Sequence, residues 1–168
     1  MTAERPLRGD GPPDRVRVGV AEIGVAAADT VLTTSGLGSC VGIAIGDPAA
    51  GVAGLAHVML PAPADDEARP AKSVPTGVEA LLEAVADAGA DLDRVEAKLA
   101  GGSQMLDFSG VGAGVGERNA EAAREALADR GIRVVAADVG GSHGRSVRVH
   151  PRTWTLTITS ATDGEVEL

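Results

Sequence analysis

C-V-G-I-A-I at residues 40–45, G-D-P at 46–48 and V-A-G-L-A-H-V-M-L at 52–60 together decide the fold. A short apolar run bounded by turn residues reads as a buried strand. Two such runs joined by Gly46, Asp47 and Pro48 read as an antiparallel hairpin. Upstream, residues 30–34 are β-branched except for Leu32 and form another strand, and Ser35 to Ser39 is a glycine-rich turn. Residues 16–23 alternate apolar and polar, the pattern of a half-buried strand. Downstream, residues 61–70 hold three prolines and three acids and read as a loop.

Two helices follow from the 3.6-residue period. The first spans 76–88, with Thr76 and Glu79 as a capping box, Val78, Leu81, Leu82 and Val85 as one apolar stripe, and Gly89 as its stop. A short strand at 95–100 ends at Gly101 and Gly102, and residues 108–116 form a loop with four glycines. Asn119 caps a second helix over 120–130, closed by Gly131. A strand at 132–137 and a hairpin at 145–150 and 154–160 complete the chain. Many strands with two helices and no repeat predict a single α+β domain over residues 15–168, preceded by a polar, proline-containing tail at 1–14.

Composition narrows the function. The net charge of −9 argues against non-specific nucleic-acid binding and against an anionic membrane surface. Phe108 and Trp154 are the only aromatic residues, too few for base-stacking platforms. Three histidines and one cysteine cannot build a Cys/His zinc site without carboxylates, and no metal or other cofactor is expected. The core material is small, with 30 Ala and 20 Val. No apolar run reaches the roughly 18 residues of a membrane span. The first residues lack the apolar stretch of an export signal, so a cytoplasmic protein is expected.

Cys40 stands where the Gly36-Leu37-Gly38-Ser39 turn enters a strand. It reads either as a small buried apolar group or as a nucleophile. Glycines at such a turn let backbone N–H groups converge on one point, as an oxyanion hole requires. His57 lies in the partner strand. A turn over 46–51 sets it directly opposite Cys40, and Cys plus His is the minimal nucleophile-and-base unit. A hydroxyl from Thr33 or Thr34 would orient the imidazole by accepting its Nδ1–H, and only one of the two can face inward. The glycine turns do not match a dinucleotide or phosphate-loop pattern.

Five ordered runs carry a resemblance: T-S-G-L-G-S-C-V-G at 34–42, A-H-V-M-L-P at 56–61, A-K-L-A-G-G-S-Q-M at 97–105, V-G-E-R-N at 115–119 and D-V-G-G-S-H-G-R at 138–145. In order and spacing they resemble the CheD chemoreceptor glutamine deamidases. The resemblance implies an α/β/β layered domain and hydrolysis of glutamine side-chain amides on the cytoplasmic helices of methyl-accepting chemotaxis receptors. It also implies a methylesterase activity on receptor glutamate methyl esters. It assigns the catalytic roles to Cys40, His57 and Thr34. Gly38, Ser39, Gly101 and Gly102 are expected to form the oxyanion pocket around them. It implies the CheC phosphatase as a partner, and a monomer is expected. A non-catalytic module of the same fold that docks on CheC or receptors is the alternative. Arg118, Arg145 and Arg148 are candidate receptor contacts. Three departures stand out: Lys72-Ser73-Val74-Pro75 replaces a Lys-Tyr-Ala-Asp-like stretch, Gly101-Gly102-Ser103-Gln104-Met105 replaces a Gly-Gly-Ala-x-Met pattern, and a customary hairpin glycine is missing near Thr153 and Trp154.

Overall fold

The hairpin at the heart of the sequence is also the heart of the structure. The computed structural model describes residues 14–63, 69–104 and 114–168. The expected tail at 1–14 except Asp14, the 64–68 part of the acidic loop, residues 105–107 and the 108–113 part of the glycine loop lie outside them. Among the described residues the order is β1 (Arg15–Arg17), β2 (Ile23–Ala27), β3 (Val31–Leu37), β4 (Val41–Asp47), β5 (Val52–Val58), α1 (Val74–Asp87), β6 (Glu96–Gly101), α2 (Val115–Asp129), β7 (Val134–Val139), β8 (Arg145–His150), β9 (Thr155–Ser160) and β10 (Gly164–Glu167). One sheet runs β2-β5-β4-β6-β7 and the other β1-β3-β8-β9-β10. Only β1–β3 and β6–β7 pair in parallel; the other neighbours are antiparallel.

Every residue of β4 and β5 is buried, because both faces of this hairpin are covered. On one face Val41, Ile43, Ile45, Ala56 and Val58 pack against Val78, Leu81, Leu82 and Val85 of α1 and against Ala123 and Leu127 of α2. On the other, Ala44, Ala53 and Leu55 meet Leu32, Val147, Val149, Leu156 and Ile158 of the second sheet. Helices, sheet and sheet therefore form three layers, an α+β fold of the expected α/β/β kind. Each fully buried Leu or Ile contributes about 1.5–3 kcal/mol. The alanines of α2 contribute less and let the helix lie close to the sheet.

Several local expectations are corrected. The single strand expected at 16–23 is two strands in different sheets. The chain turns at 19–22, where the Gly19 N–H donates to Glu22 Oε1 at 2.8 Å and Ala21 takes φ 64. The hairpin turn is shorter than expected. Asp47 Oδ1 accepts the N–H groups of Ala49 and Ala50 at 3.1 and 3.2 Å, so Gly46 and Asp47 stay in β4 and only 48–51 turn. Helix α1 starts at Val74 with Ser73 as its N-cap and Pro75 in its first turn, where a missing N–H costs little. Thr76 meets the Ser73 hydroxyl at 2.9 Å, so the cap does not rest on Thr76 and Glu79. Helix α2 starts at Val115, which puts Asn119 inside the helix rather than at its cap. Strand β10, short and exposed throughout, had no apolar signal.

Trp154 occupies the left-handed φ of 55 that the missing glycine would have suited. Its ring lies 4.7 Å from Lys98 Nζ, and its Nε1–H donates to Glu96 Oε1 at 2.9 Å. Among the described residues no helix is long and apolar enough to cross a membrane.

Candidate active site

Strand periodicity decides which side chains enter the layer between the sheets. In β3, Leu32 and Thr34 are buried and Thr33 only partly so, which settles which threonine faces inward. In β5, His57 shares a face with Ala53 and Leu55, both part of the inter-sheet core. His57 is fully buried, and its backbone N–H donates to Glu22 O while its carbonyl accepts from Ala21 N–H.

The expected direct pairing of Cys40 with His57 is not made. The shorter turn shifts the register, and His57 pairs with Gly42, while Val41 pairs with Val58. The shift is two residues, so it keeps the face: Cys40 lies two positions before Gly42 and packs, half-buried, beside the inter-sheet core. A one-residue shift would have sent it to the helix side.

Thr34 Oγ1 lies 2.6 Å from Val18 O and 2.8 Å from His57 Nδ1. A carbonyl only accepts, so the Thr34 hydroxyl spends its proton on Val18 O. Its oxygen then accepts from the imidazole, which requires Nδ1–H. The lone pair is left on Nε2, which is buried and without a partner among the described residues. Burial pushes the His57 pKa down and the Cys40 pKa up. Burial thus favours the uncharged form of each group.

The glycine turns wrap the backbone around Cys40. The Cys40 carbonyl accepts from Gly102 N–H at 2.8 Å, and Gly38 O accepts from the Ser103 N–H and hydroxyl at 2.8 and 3.0 Å. Gly101 sits at φ 105, where a Cβ would collide with the Cys40 carbonyl. The Gly38 and Gly102 N–H groups are engaged, with Gly36 O and Cys40 O. The N–H groups of Ser39 and Cys40 have no backbone acceptor among the described residues.

Of the candidate receptor contacts, Arg145 is buried. It donates to Gly140 O at 2.9 Å and to Asp138 Oδ1 at 3.3 Å, which ties the 138–141 turn beneath the site rather than offering charge to a partner. Arg148 pairs with Glu165 on β10 at 3.0 Å, and Arg118 lies on the exposed side of α2. Asn119 was misread. Its Nδ2 donates to Ser39 O at 2.8 Å and to Met59 O at 2.9 Å. Its place in the V-G-E-R-N run was the only signal, since spacing says nothing of a helix reaching across two strand ends.

Comparison with known proteins gives one consistent result. Residues 59–160 match the family model described as CheD chemotactic sensory transduction. The chain is 52% identical over 157 residues to a Haloarcula marismortui protein called a probable chemoreceptor glutamine deamidase CheD, covering 93% of this chain and 91% of that one. It is 45% identical to a Natronomonas pharaonis protein of the same description, over 90% and 91% of the two chains. It is 40% identical to the Thermotoga maritima chemoreceptor glutamine deamidase CheD, over 88% and 93%. A solved Neisseria meningitidis structure aligns at 13% identity over 81% of this chain and 66% of that one, with a TM-score of 0.44, too low to carry an argument.

Proposed function

The chain belongs to the CheD family, and from that premise we propose that it hydrolyses glutamine side-chain amides on chemoreceptors to glutamate and ammonia. The observation that carries the chemistry is the relay from Val18 O through Thr34 to His57, which leaves a bare Nε2 lone pair on the Cys40 face.

In this reading His57 Nε2 removes the Cys40 Sγ proton as the sulfur attacks the glutamine Cδ. The negative charge that develops on the amide oxygen is met by the Ser39 and Cys40 N–H groups. The imidazolium then gives its proton to the departing nitrogen, the C–N bond breaks, and ammonia leaves a thioester on Cys40. His57 takes a proton from water, the hydroxide adds to the thioester carbon, and the C–S bond breaks. The thiolate recovers the proton, and glutamate is released. Thr34 holds the tautomer throughout. No step calls for a cofactor.

A methyl ester of a receptor glutamate would pass through the same steps, with methanol leaving in place of ammonia. Residues 15–168 are the unit to which we assign the activity, as a monomer. CheC is proposed as a regulator on the family resemblance, and a cytoplasmic location on the single thiol of Cys40 and on the cytoplasmic receptor helices that the resemblance gives as substrate.

The test is mass spectrometry of chemoreceptor cytoplasmic fragments after incubation with the purified chain. The expected result is the Gln-to-Glu mass change at particular glutamines. Fragments left unmodified by active, folded protein would overturn the proposal.

A further inference from the structure

We propose that Asn119 is a positioning residue that aims the Cys40 N–H at the developing oxyanion. The proposal rests on the deamidase reading above and adds a residue to its machinery.

Asn119 lies inside α2, fully buried, where asparagine is a poor helix former and a buried amide must find partners. Both of its contacts are backbone carbonyls, so only the NH2 end can face them; Oδ1 is left buried and without a partner among the described residues. The cost of that unmet oxygen is accepted in exchange for two anchors. One is the carbonyl of Ser39, the residue before Cys40. The other is the carbonyl of Met59, two residues past His57. A single amide thus ties the entry of β4 to the exit of β5, the two places from which the nucleophile and the base project.

The Ser39 anchor has a further consequence. A trans peptide unit is planar, and its C=O and N–H point in opposite directions. Drawing the Ser39 carbonyl toward α2 therefore turns the Cys40 N–H away from α2. That N–H is one of the two donors with no backbone acceptor among the described residues. The helix is a firm base for the anchor. Gly116, one turn before Asn119, lies so close to the backbone of Gly102 and Ser103 that a Cβ there would collide with the Ser103 carbonyl.

The experiment compares Asn119→Ala and Asn119→Asp with the unmodified chain. Ammonia release is measured on a chemoreceptor cytoplasmic fragment, and Cys40 alkylation by iodoacetamide is measured alongside. Alkylation needs the sulfur but no oxyanion hole, so it separates aiming of the donor from general loosening of the site. Asn119→Asp keeps the volume and removes the paired donors. We expect kcat to fall about 10- to 100-fold in both variants, below the full loss of a donor, with KM and the alkylation rate within about twofold. A kcat that hardly changes, or alkylation that falls in parallel with kcat, overturns the proposal. So does loss of the folded state in both variants, because the tether would then belong to the core. A Cys40→Ala chain separates the two readings: if it still releases ammonia, the deamidase mechanism fails; if it is inactive while Asn119→Ala is fully active, only the role of Asn119 fails.

Discussion

The proposed chemistry turns on the protons of His57 and Cys40, and burial favours the uncharged form of both groups. The His57 pKa is lowered by burial, so the neutral base persists below the usual histidine range. The acid limb of kcat/KM is therefore expected below about pH 6.5. The Cys40 pKa is raised by burial, so its alkylation should keep rising with pH past about 8.5, the ordinary thiol range. Rapid alkylation at neutral pH, expected of a preformed thiolate, would contradict this. Thr34 tests the relay. Thr34→Val keeps the shape but removes both the donor to Val18 O and the acceptor for Nδ1–H. A misplaced catalytic group costs about 10²-fold, and kcat should fall by that order, while Thr34→Ser stays within a few-fold. Steady-state kinetics on a receptor fragment decides it. That Cys40 and His57 share a face was legible, because a two-residue change of register leaves both on it. The choice between Thr33 and Thr34 was not legible from spacing, since it depends on which face of β3 meets the other sheet.

At the scale of elements, strand existence was legible and strand boundaries were not. β4 and β5 announced themselves as continuous apolar runs, because the hairpin is buried on both faces. The chain between 16 and 27 did not, because its alternation hides a switch from one sheet to the other at the Gly19–Glu22 turn. Helix α2 was read too short because its first turn, Val115 to Arg118, offers one apolar residue and a glycine rather than a stripe. The turn between β8 and β9 gives a prediction of its own. Trp154 holds a left-handed φ that costs a non-glycine residue about 1–2 kcal/mol. Trp154→Gly would relieve that strain but remove the ring from Lys98 and the core. Loss of a buried aromatic costs about 3–5 kcal/mol, so the variant should be less stable by about 1–4 kcal/mol. Urea denaturation checks the sign; a gain in stability would show that the backbone strain outweighs the packing.

Across the whole molecule, the candidate site and the Asp47–Arg94 ion pair sit at opposite ends of the central hairpin. Cys40 and His57 lie where β4 begins and β5 ends; Asp47 lies where β4 ends. Its buried carboxylate accepts from Arg94 at 2.8 Å and from the Asp91 N–H at 2.8 Å, and its pKa is lowered to about 2, first by the Arg94 hydrogen bond. A depressed carboxylate stabilises the fold above its unfolded pKa of about 3.9 and loses that contribution as pH falls through its folded value. Asp47→Asn should therefore denature at lower urea than the unmodified chain near neutral pH, with the gap narrowing toward about pH 2. An unchanged gap would refute the assignment. The three-layer architecture followed from the resemblance, while the apolar runs alone gave only the α+β class. The net charge of −9 still says nothing of which receptor helix is chosen. The central claim is that Cys40 is the nucleophile, and the most direct measurement compares the unmodified chain with Cys40→Ala on a chemoreceptor cytoplasmic fragment by mass spectrometry. The account predicts Gln-to-Glu conversion with the former and none with a folded Cys40→Ala chain; conversion by Cys40→Ala would contradict it.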